Sequence, residues 1–473
     1  MSSARVAGNS VVLIATEATR RLLSFVVAIL VARSLTLDDF GRFGLAMALA
    51  GIFGVFANFG LNALLTRDVA ADLEQGRKKF GLVLSLKLFF GVFAVFAMAL
   101  FARAMNYPPT TFTAVLFSAL LIPPLALEEA AIAFFDGRQK MAYSALITVV
   151  KSLSLLAAVA VAALIRPGLN GILAAYLIGG YLTAAFSVAL IKFGAREAVF
   201  RPAWQGAWPL TRQAAPFLLI GLVWTITFRL DMILLERMTG DAPTGLYRSG
   251  YSFFEILLAL PILTTRALYP ALAAGMSEPR NHWRNLINSA LRLYGLVAIP
   301  ASVGCALVGA RFVPLFYGAK YAGGGEVLAL LGGCLWIWFG TMTFGWALTA
   351  ADHLRAVLVG NLLSLAFNLA ANLLLIPRYG IFGSALATVG GEFLLLLYFL
   401  FAMRRWLGPV SFSAVPWRAL PAAALMAGLV WFLREANLAL VVLSGAVVYL
   451  LAAWAIGALR HEERELIRGR LRR

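Results

Sequence analysis

Fourteen long apolar stretches follow one another along this chain with almost nothing between them. They lie near residues 9–33, 40–65, 80–102, 111–135, 142–165, 170–192, 214–238, 247–272, 286–310, 325–350, 354–376, 381–403, 416–433 and 438–459. With 62% hydrophobic and 13% charged residues, there is not enough polar surface to enclose so much apolar side chain in water. A hydrocarbon core is crossed by about 20 apolar residues in a helix. Without water each segment must satisfy its own backbone, which selects helices, and runs this long do not suit barrel strands. The expected fold class is an all-α polytopic membrane protein with about 14 transmembrane helices.

A net charge of +18 invites a nucleic-acid reading, but the placement of the charge argues against it. With an even number of spans both termini share one side, and about 23 of the 40 Lys and Arg fall there against about 10 on the other. Arg67, Lys78 and Lys79, Arg138 and Lys140, Lys192, Arg196, Arg201 and Arg212, Arg404 and Arg405, and the tail from Arg460 onward all belong to the rich side. That side is expected to be cytoplasmic by the positive-inside rule. Orientation and contact with anionic lipid heads account for the basic charge, so the membrane is the expected partner and nucleic acid is not. Glu17, Arg20 and Arg21 interrupt the apolar run a cleavable signal needs, so the first span is expected to stay attached.

Catalytic readings fail for want of parts. Cys305 and Cys334 lie apart in apolar spans, and His282, His353 and His461 have no metal-ligand spacing. No Gly-rich phosphate loop with a Lys is present, so no nucleotide or other cofactor is implied, and Gly323-Gly324-Gly325 reads as a flexible external turn. The longest connection, roughly residues 193–213, carries Pro202 and Pro209 with Trp204 and Trp208, as an interfacial linker would. No connection is long enough for a soluble catalytic domain, so the chain is read as no enzyme.

The chain repeats itself at an offset of a little over 200 residues. Gly168, Gly171 and Gly179 precede and enter one span as Gly380, Gly383 and Gly391 enter another. Gly41-Arg42-Phe43 opens the second span as Gly245-Leu246-Tyr247 opens the eighth. Two echoes in the same order read as a duplication. Six spans per half make a parallel repeat, the plan of transporters that hold substrate between two lobes. The expected division is 1–200 and 201–405 as six-helix lobes, with 406–473 adding two transmembrane helices and a basic cytoplasmic tail.

Charges inside spans are costly, at roughly 2.5–3.5 kcal/mol each on insertion scales, and so mark cavities or partners. Glu17, Arg20, Arg21 and Ser24 share one helical stripe. Starting the helix at Leu22 would leave both arginines at the interface, but only 16 residues then remain before Asp38. The stripe is therefore read as buried. Arg229 and Asp231 lie in span seven, two residues apart and so on different faces, and Glu255 in span eight is a candidate partner for Arg229. Lys87 and Arg292, near span ends, are expected to snorkel. Lys151 sits deeper, where snorkelling and cavity lining both remain open. Arg266 also falls inside a span.

Asn361, Ser364, Asn368 and Asn372 recur on one face of span eleven. Amides along a cavity wall suit sugar hydroxyls, while helix–helix bonding is the plainer alternative. Pro123-Pro124 should break or kink span four, and Pro216, Pro261, Pro270 and Pro300 act similarly elsewhere.

Ala32-Arg33-Ser34-Leu35, an acidic pair, then Phe40-Gly41-Arg42-Phe43 resembles the opening of bacterial polysaccharide-export proteins. Phe59-Gly60-Leu61 with Thr66-Arg67, Asp231, and the series Asn368, Asn372, Ile376-Pro377, Gly380 and Gly383 continue the pattern over roughly 400 residues. The chain is similar to the O-antigen (Wzx-type) flippases of the multidrug/oligosaccharidyl-lipid/polysaccharide exporter superfamily. That resemblance implies two six-helix lobes around a cavity in the bacterial cytoplasmic (inner) membrane. It implies undecaprenyl-pyrophosphate-linked oligosaccharide as substrate, alternating access, and a polysaccharide polymerase or export complex as a partner. Arg20, Arg21 and Arg229, with Lys151, would then hold the pyrophosphate. Glu17, Asp231 and Glu255 would serve charge pairing or coupling, and the tail of the lipid would follow spans thirteen and fourteen. The competing class is a cation-coupled small-molecule exporter of the same superfamily, which favours an acidic cavity; here the deep basic residues outnumber the acidic ones.

Overall fold

The computed structural model describes residues 3–194, 204–261, 272, 280–408 and 416–458. Arg196, Arg201, Pro202, Arg266, Pro270 and the tail beyond Ala458 lie outside them. The described residues are helical throughout, with no strand. Nine helices among them are long and apolar enough to cross a membrane, and a tenth arises if the pair Ala319–Gly333 and Leu335–Ala350, bent by 45°, is one span. Ala419–Phe432 is a shorter apolar helix. Large side chains on the outer surface are apolar, with Leu164 85% and Phe432 83% exposed. In water that would be a liability; against lipid tails it is the expected exterior.

Contacts divide the chain into residues 1–245 and 246–473. The first unit holds α1 (Ser3–Ser34), α2 (Leu37–Asn58), α3 (Leu61–Ala71), α4 (Leu73–Ala104), α5 (Pro109–Ala119), α6 (Ile122–Gly137), α7 (Met141–Ile165), α8 (Leu169–Ala189) and α9 (Ala207–Thr239). The helix α2 starts on a Thr36 hydroxyl that accepts from Asp39 N at 3.1 Å, and Asp38 and Asp39 favour its positive end. It ends where Phe59 (φ 48°) and Gly60 (φ 74°) turn left-handed, so the span expected at 40–65 is shorter and α3 follows as a separate helix. Span four is likewise two helices, α5 and α6. The break falls at Leu120–Leu121, which puts Pro123 and Pro124 in the first turn of α6, where their missing N–H groups cost nothing.

Beyond the apolar contacts of α3, α4 and α6, a surface group closes this end of the unit. Asp68 pairs with Lys79 at 2.6 Å and Arg67 at 2.9 Å. Burial works against its charge, but Lys79 and Arg67 outweigh it and hold the carboxyl below the usual range.

The second unit is built on the helix Arg280–Tyr317, against which Ala322–Gly333, Leu335–Ala350, Ala419–Phe432 and Leu438–Ala455 pack. The last two helices are tied to it at several points. Tyr449 OH donates to Leu296 O at 2.7 Å, and Arg311 Nη2 to Ala436 O at 2.8 Å. Arg292 Nη2 donates to Ala458 O at 2.6 Å, just past the end of the last helix. Gly323-Gly324-Gly325 is no flexible turn either. It lies within the helix Ala322–Gly333, where Gly324 and Gly325 are buried and a Cβ would strike Ser249 Oγ and the Ala310 carbonyl. Those glycines exist to let helices touch.

The duplicated glycines have matching geometry in the two units. Gly168 (φ 135°) and Gly380 (φ 53°) both take positive φ at the turn before a span. A Cβ on Gly171 would strike the Arg166 carbonyl oxygen, and one on Gly383 that of Leu375. Thus Leu354–Trp406 is two helices meeting at Gly380, matching the two spans expected there.

Candidate functional site

The first unit contains a charged network that runs through its apolar interior. Glu128 and Glu129 are consecutive on α6, so about 100° of helical rotation points them at different neighbours. Glu128 Oε1 accepts from Lys151 Nζ of α7 at 2.9 Å. Glu129 Oε2 accepts from Lys87 Nζ of α4 at 3.2 Å and from Asn62 Nδ2 of α3 at 3.1 Å. Asn62 Oδ1 in turn takes a second Lys87 proton at 2.7 Å. Lys87 is 0% exposed, so the snorkelling expected of it does not occur. A carboxylate and an amide within reach make burial cheaper than stretching to the interface. Sequence reading passed over Glu128, Glu129 and Asn62. The available signal was the pair of adjacent acids in span four, facing one lysine in span three and another in span five.

Glu129 also opens onto a cavity of about 340 Å³ formed by α2, α6 and α9. Each helix offers it one face: Gly51, Gly54 and Asn58 from α2; Ile122, Leu125 and Glu129 from α6; Phe217, Gly221, Trp224 and Thr225 from α9. Trp224 is 52% exposed and packs obliquely on Phe228, ring centres 4.8 Å apart. Arg229 is one turn beyond Thr225 on the same stripe. Its Nε lies 3.8 Å from where a Cβ on Gly51 would sit, which places a guanidinium beside one of the residues that line this cavity.

Other expected residues fall into three groups. Glu17 holds both arginines of its stripe, Arg20 Nη2 at 2.6 Å and Arg21 Nε at 2.7 Å, leaving the cluster with one net positive charge. The Arg20 side chain is 40% exposed and that of Arg21 25%. Asp231 is buried and accepts from its neighbour Met232 N at 2.8 Å. Glu255 faces Arg248 at 3.7 Å, two turns earlier on its own helix.

The amide stripe of span eleven exists, but its face is closed. Ser364, Asn368 and Asn372 are buried. Ser364 Oγ donates to Gly391 O at 2.9 Å, Asn372 Nδ2 to Asn368 O at 2.9 Å, and Asn361 Nδ2 to Val357 O at 2.7 Å. Gly391, without a Cβ, lets its helix approach close enough for that pairing. Only the Ser364–Gly391 bond joins two helices; those of Asn361 and Asn372 stay within their own helix.

At another place in the first unit α2 meets the start of the helix Asp241–Leu257. Arg42 Nε donates to Asp241 Oδ2 at 2.8 Å and Nη1 to Asp39 Oδ1 at 3.0 Å. Gly41 and Gly245 face one another across this contact, where a Cβ on either would strike a carbonyl oxygen of the other segment. The second sequence echo is therefore a pair of equivalent glycines in mutual contact.

A family model described as polysaccharide biosynthesis protein matches residues 6–276, more than half of the chain. The chain belongs to that family. Two relatives from Haloferax volcanii are named as probable flippases. Agl15, of low-salt glycan biosynthesis, is 20% identical over 370 residues, covering 77% of this chain and 76% of the relative. AglR is 25% identical over 165 residues, so the match spans about a third of that protein, 34%. Among solved structures, the lipid II flippase MurJ in an inward closed conformation superposes with a TM-score of 0.77 at 15% identity. It covers 97% of this chain and 99% of its own. An inward-facing multidrug resistance MATE transporter of the MOP superfamily gives 0.65 at 15% identity, covering 82% and 94%. The fold of this family member is that of the polytopic, all-helical MOP transporters.

Proposed function

We propose that this chain is a flippase that moves an undecaprenyl-pyrophosphate-linked oligosaccharide, an O-antigen or exopolysaccharide repeat unit, across the bacterial cytoplasmic membrane by alternating access. The family match over residues 6–276 carries the reading. Guanidinium groups set among apolar helices support it. Arg229 beside the first unit's cavity, with Arg20 and Arg21 sharing one carboxylate, offers the bidentate donors a pyrophosphate needs. Lys151 is the further basic group, partly neutralised by Glu128. Asp231 and Glu255 remain the proposed coupling or charge-pairing acids.

In the same reading the lipid tail would lie against the second unit. An apolar cavity of about 630 Å³ is lined by Tyr294, Ile299, Trp336, Phe344, Leu400, Trp417 and Leu420, next to the helix Ala419–Phe432. A polyprenyl chain would be held there by close packing against apolar side chains, since lipid tails are already as apolar as this lining. In this reading residues 1–200 and 201–405 are the two lobes, residues 406–473 are an addition, and both termini are cytoplasmic. A polysaccharide polymerase or export complex would receive the product.

The test is flipping of undecaprenyl-pyrophosphate N-acetylglucosamine in proteoliposomes. Replacing Arg20, Arg21 and Arg229 together by Gln should abolish it while the protein still inserts. Unchanged flipping in that variant refutes the charge assignment. Export of organic cations by the wild type, with no glycan flipped, would put the cation-coupled exporter in its place.

A further inference from the structure

We infer that the cavity between α2, α6 and α9 is a subsite for a neutral pyranose ring, with Trp224 as its stacking platform and Glu129 as an acceptor for its hydroxyls. The inference rests on the flippase reading and deepens it, because it names where part of the carried glycan sits. It also moves sugar recognition away from the closed amide stripe of span eleven.

The lining chemistry selects the ligand. Both hydrogen bonds to Glu129 use Oε2, which leaves Oε1 as an acceptor on a side chain 44% exposed. An accessible carboxylate oxygen calls for a ligand that brings donors. A phosphate brings acceptors and negative charge, so a carboxylate repels it; sugar hydroxyls donate readily. The half-exposed indole of Trp224 offers the flat apolar face against which the C–H face of a pyranose packs.

Space and charge agree. The volume of about 340 Å³ is at the small end of the ~300–1,000 Å³ typical of small-molecule sites. A Cβ on Gly54 would meet nothing within 4 Å, so its side of the cavity is open space and not helix packing. An organic cation would also welcome an indole and a carboxylate. Here, however, the buried Lys87 already offsets the charge of Glu129 at 3.2 Å, and the pair presents hydrogen-bonding capacity with little net charge. Thr225, also on the lining, lies one helical turn from Arg229 on one face of α9, so an anionic group at Arg229 would border the cavity, while Trp224 is about 7.5 Å along the axis and about 140° around it.

The experiment is saturation-transfer NMR on the full chain in lipid nanodiscs. The probes are methyl α-D-glucopyranoside, methyl N-acetyl-β-D-glucosaminide and tetraphenylphosphonium. Wild type should show a saturable glycoside signal. Trp224→Ala should weaken it about tenfold, as expected for loss of one aromatic contact, and Trp224→Phe should restore most of it. Gly54→Leu should abolish it by filling the cavity, without a clash at Cβ. No signal from either glycoside, or equal signals in wild type and both disabling variants, overturns the inference. So does cavity-dependent binding of tetraphenylphosphonium in place of the glycosides. Failure of the wild type to flip undecaprenyl-pyrophosphate N-acetylglucosamine would sink the flippase reading alone, and the glycoside titration would still decide the subsite.

Discussion

Removing either partner of the Lys87–Glu129 pair should have unequal effects, because the two sit in different surroundings. Lys87 is 0% exposed, while the Glu129 side chain is 44% exposed to the cavity. Glu129→Gln leaves an ammonium sealed among apolar helices, with Asn62 Oδ1 and neutral amide oxygen in place of a carboxylate. Breaking a buried pair in this way typically costs about 3–5 kcal/mol. Lys87→Met leaves a carboxylate that cavity water can still solvate, and a flexible apolar side chain fills the vacated path. That loss should be about 1–2 kcal/mol, the buried-pair figure discounted for exposure. The double variant removes both charges and should be more stable than Glu129→Gln alone. Equilibrium unfolding in mixed dodecylmaltoside and SDS micelles, followed by tryptophan fluorescence, ranks the three proteins. If Lys87→Met is the more damaging single change, or the two losses simply add, the account of a buried cation held by a half-solvated anion is wrong.

Two further outcomes are expected. Gly380→Ala forces an L residue to φ 53° and ψ −127° and should cost about 1–3 kcal/mol in the same assay, with Gly168→Ala also destabilising. Unfolding free energies equal to wild type would remove the strain argument from both turns. Asp68 has its carboxyl held below the ordinary range by Lys79 and Arg67 in the face of burial. Its stabilising contribution is therefore present above the unfolded value of about 3.9 and is lost as pH falls through the lower folded value. Asp68→Asn should flatten the acid limb of the stability profile in that window; a profile that superposes on wild type counts against the pairing.

Much of the architecture is legible without coordinates, for reasons that are local. A segment surrounded by lipid must satisfy its own backbone, so an apolar run of sufficient length is helical whatever surrounds it, though the runs at 40–65 and 111–135 each break into two helices. The glycines of the repeat are legible for a similar reason. Positive φ at Gly168 and Gly380, and close approach at Gly171 and Gly383, are demands of the backbone that few other residues meet. Glu17 with Arg20 and Arg21 was equally readable, because partners three and four residues apart share a helix face.

What sequence could not decide is which polar residues meet across helices. Lys87 and Glu129 are 42 residues apart in the chain, and Lys151 is 23 from Glu128; periodicity along one helix carries no information about its neighbour's rotation. The amide stripe of span eleven has the spacing of a cavity wall, but only packing shows that Gly391 brings a helix against it. Conversely, Gly51 and Gly54 have the spacing of a packing face, and tertiary structure leaves open space beside Gly54. Run length and backbone need settle which elements form, because both are properties of a single segment; which side chains share a cavity depends on how several segments are rotated about their axes, and only the packed bundle sets that.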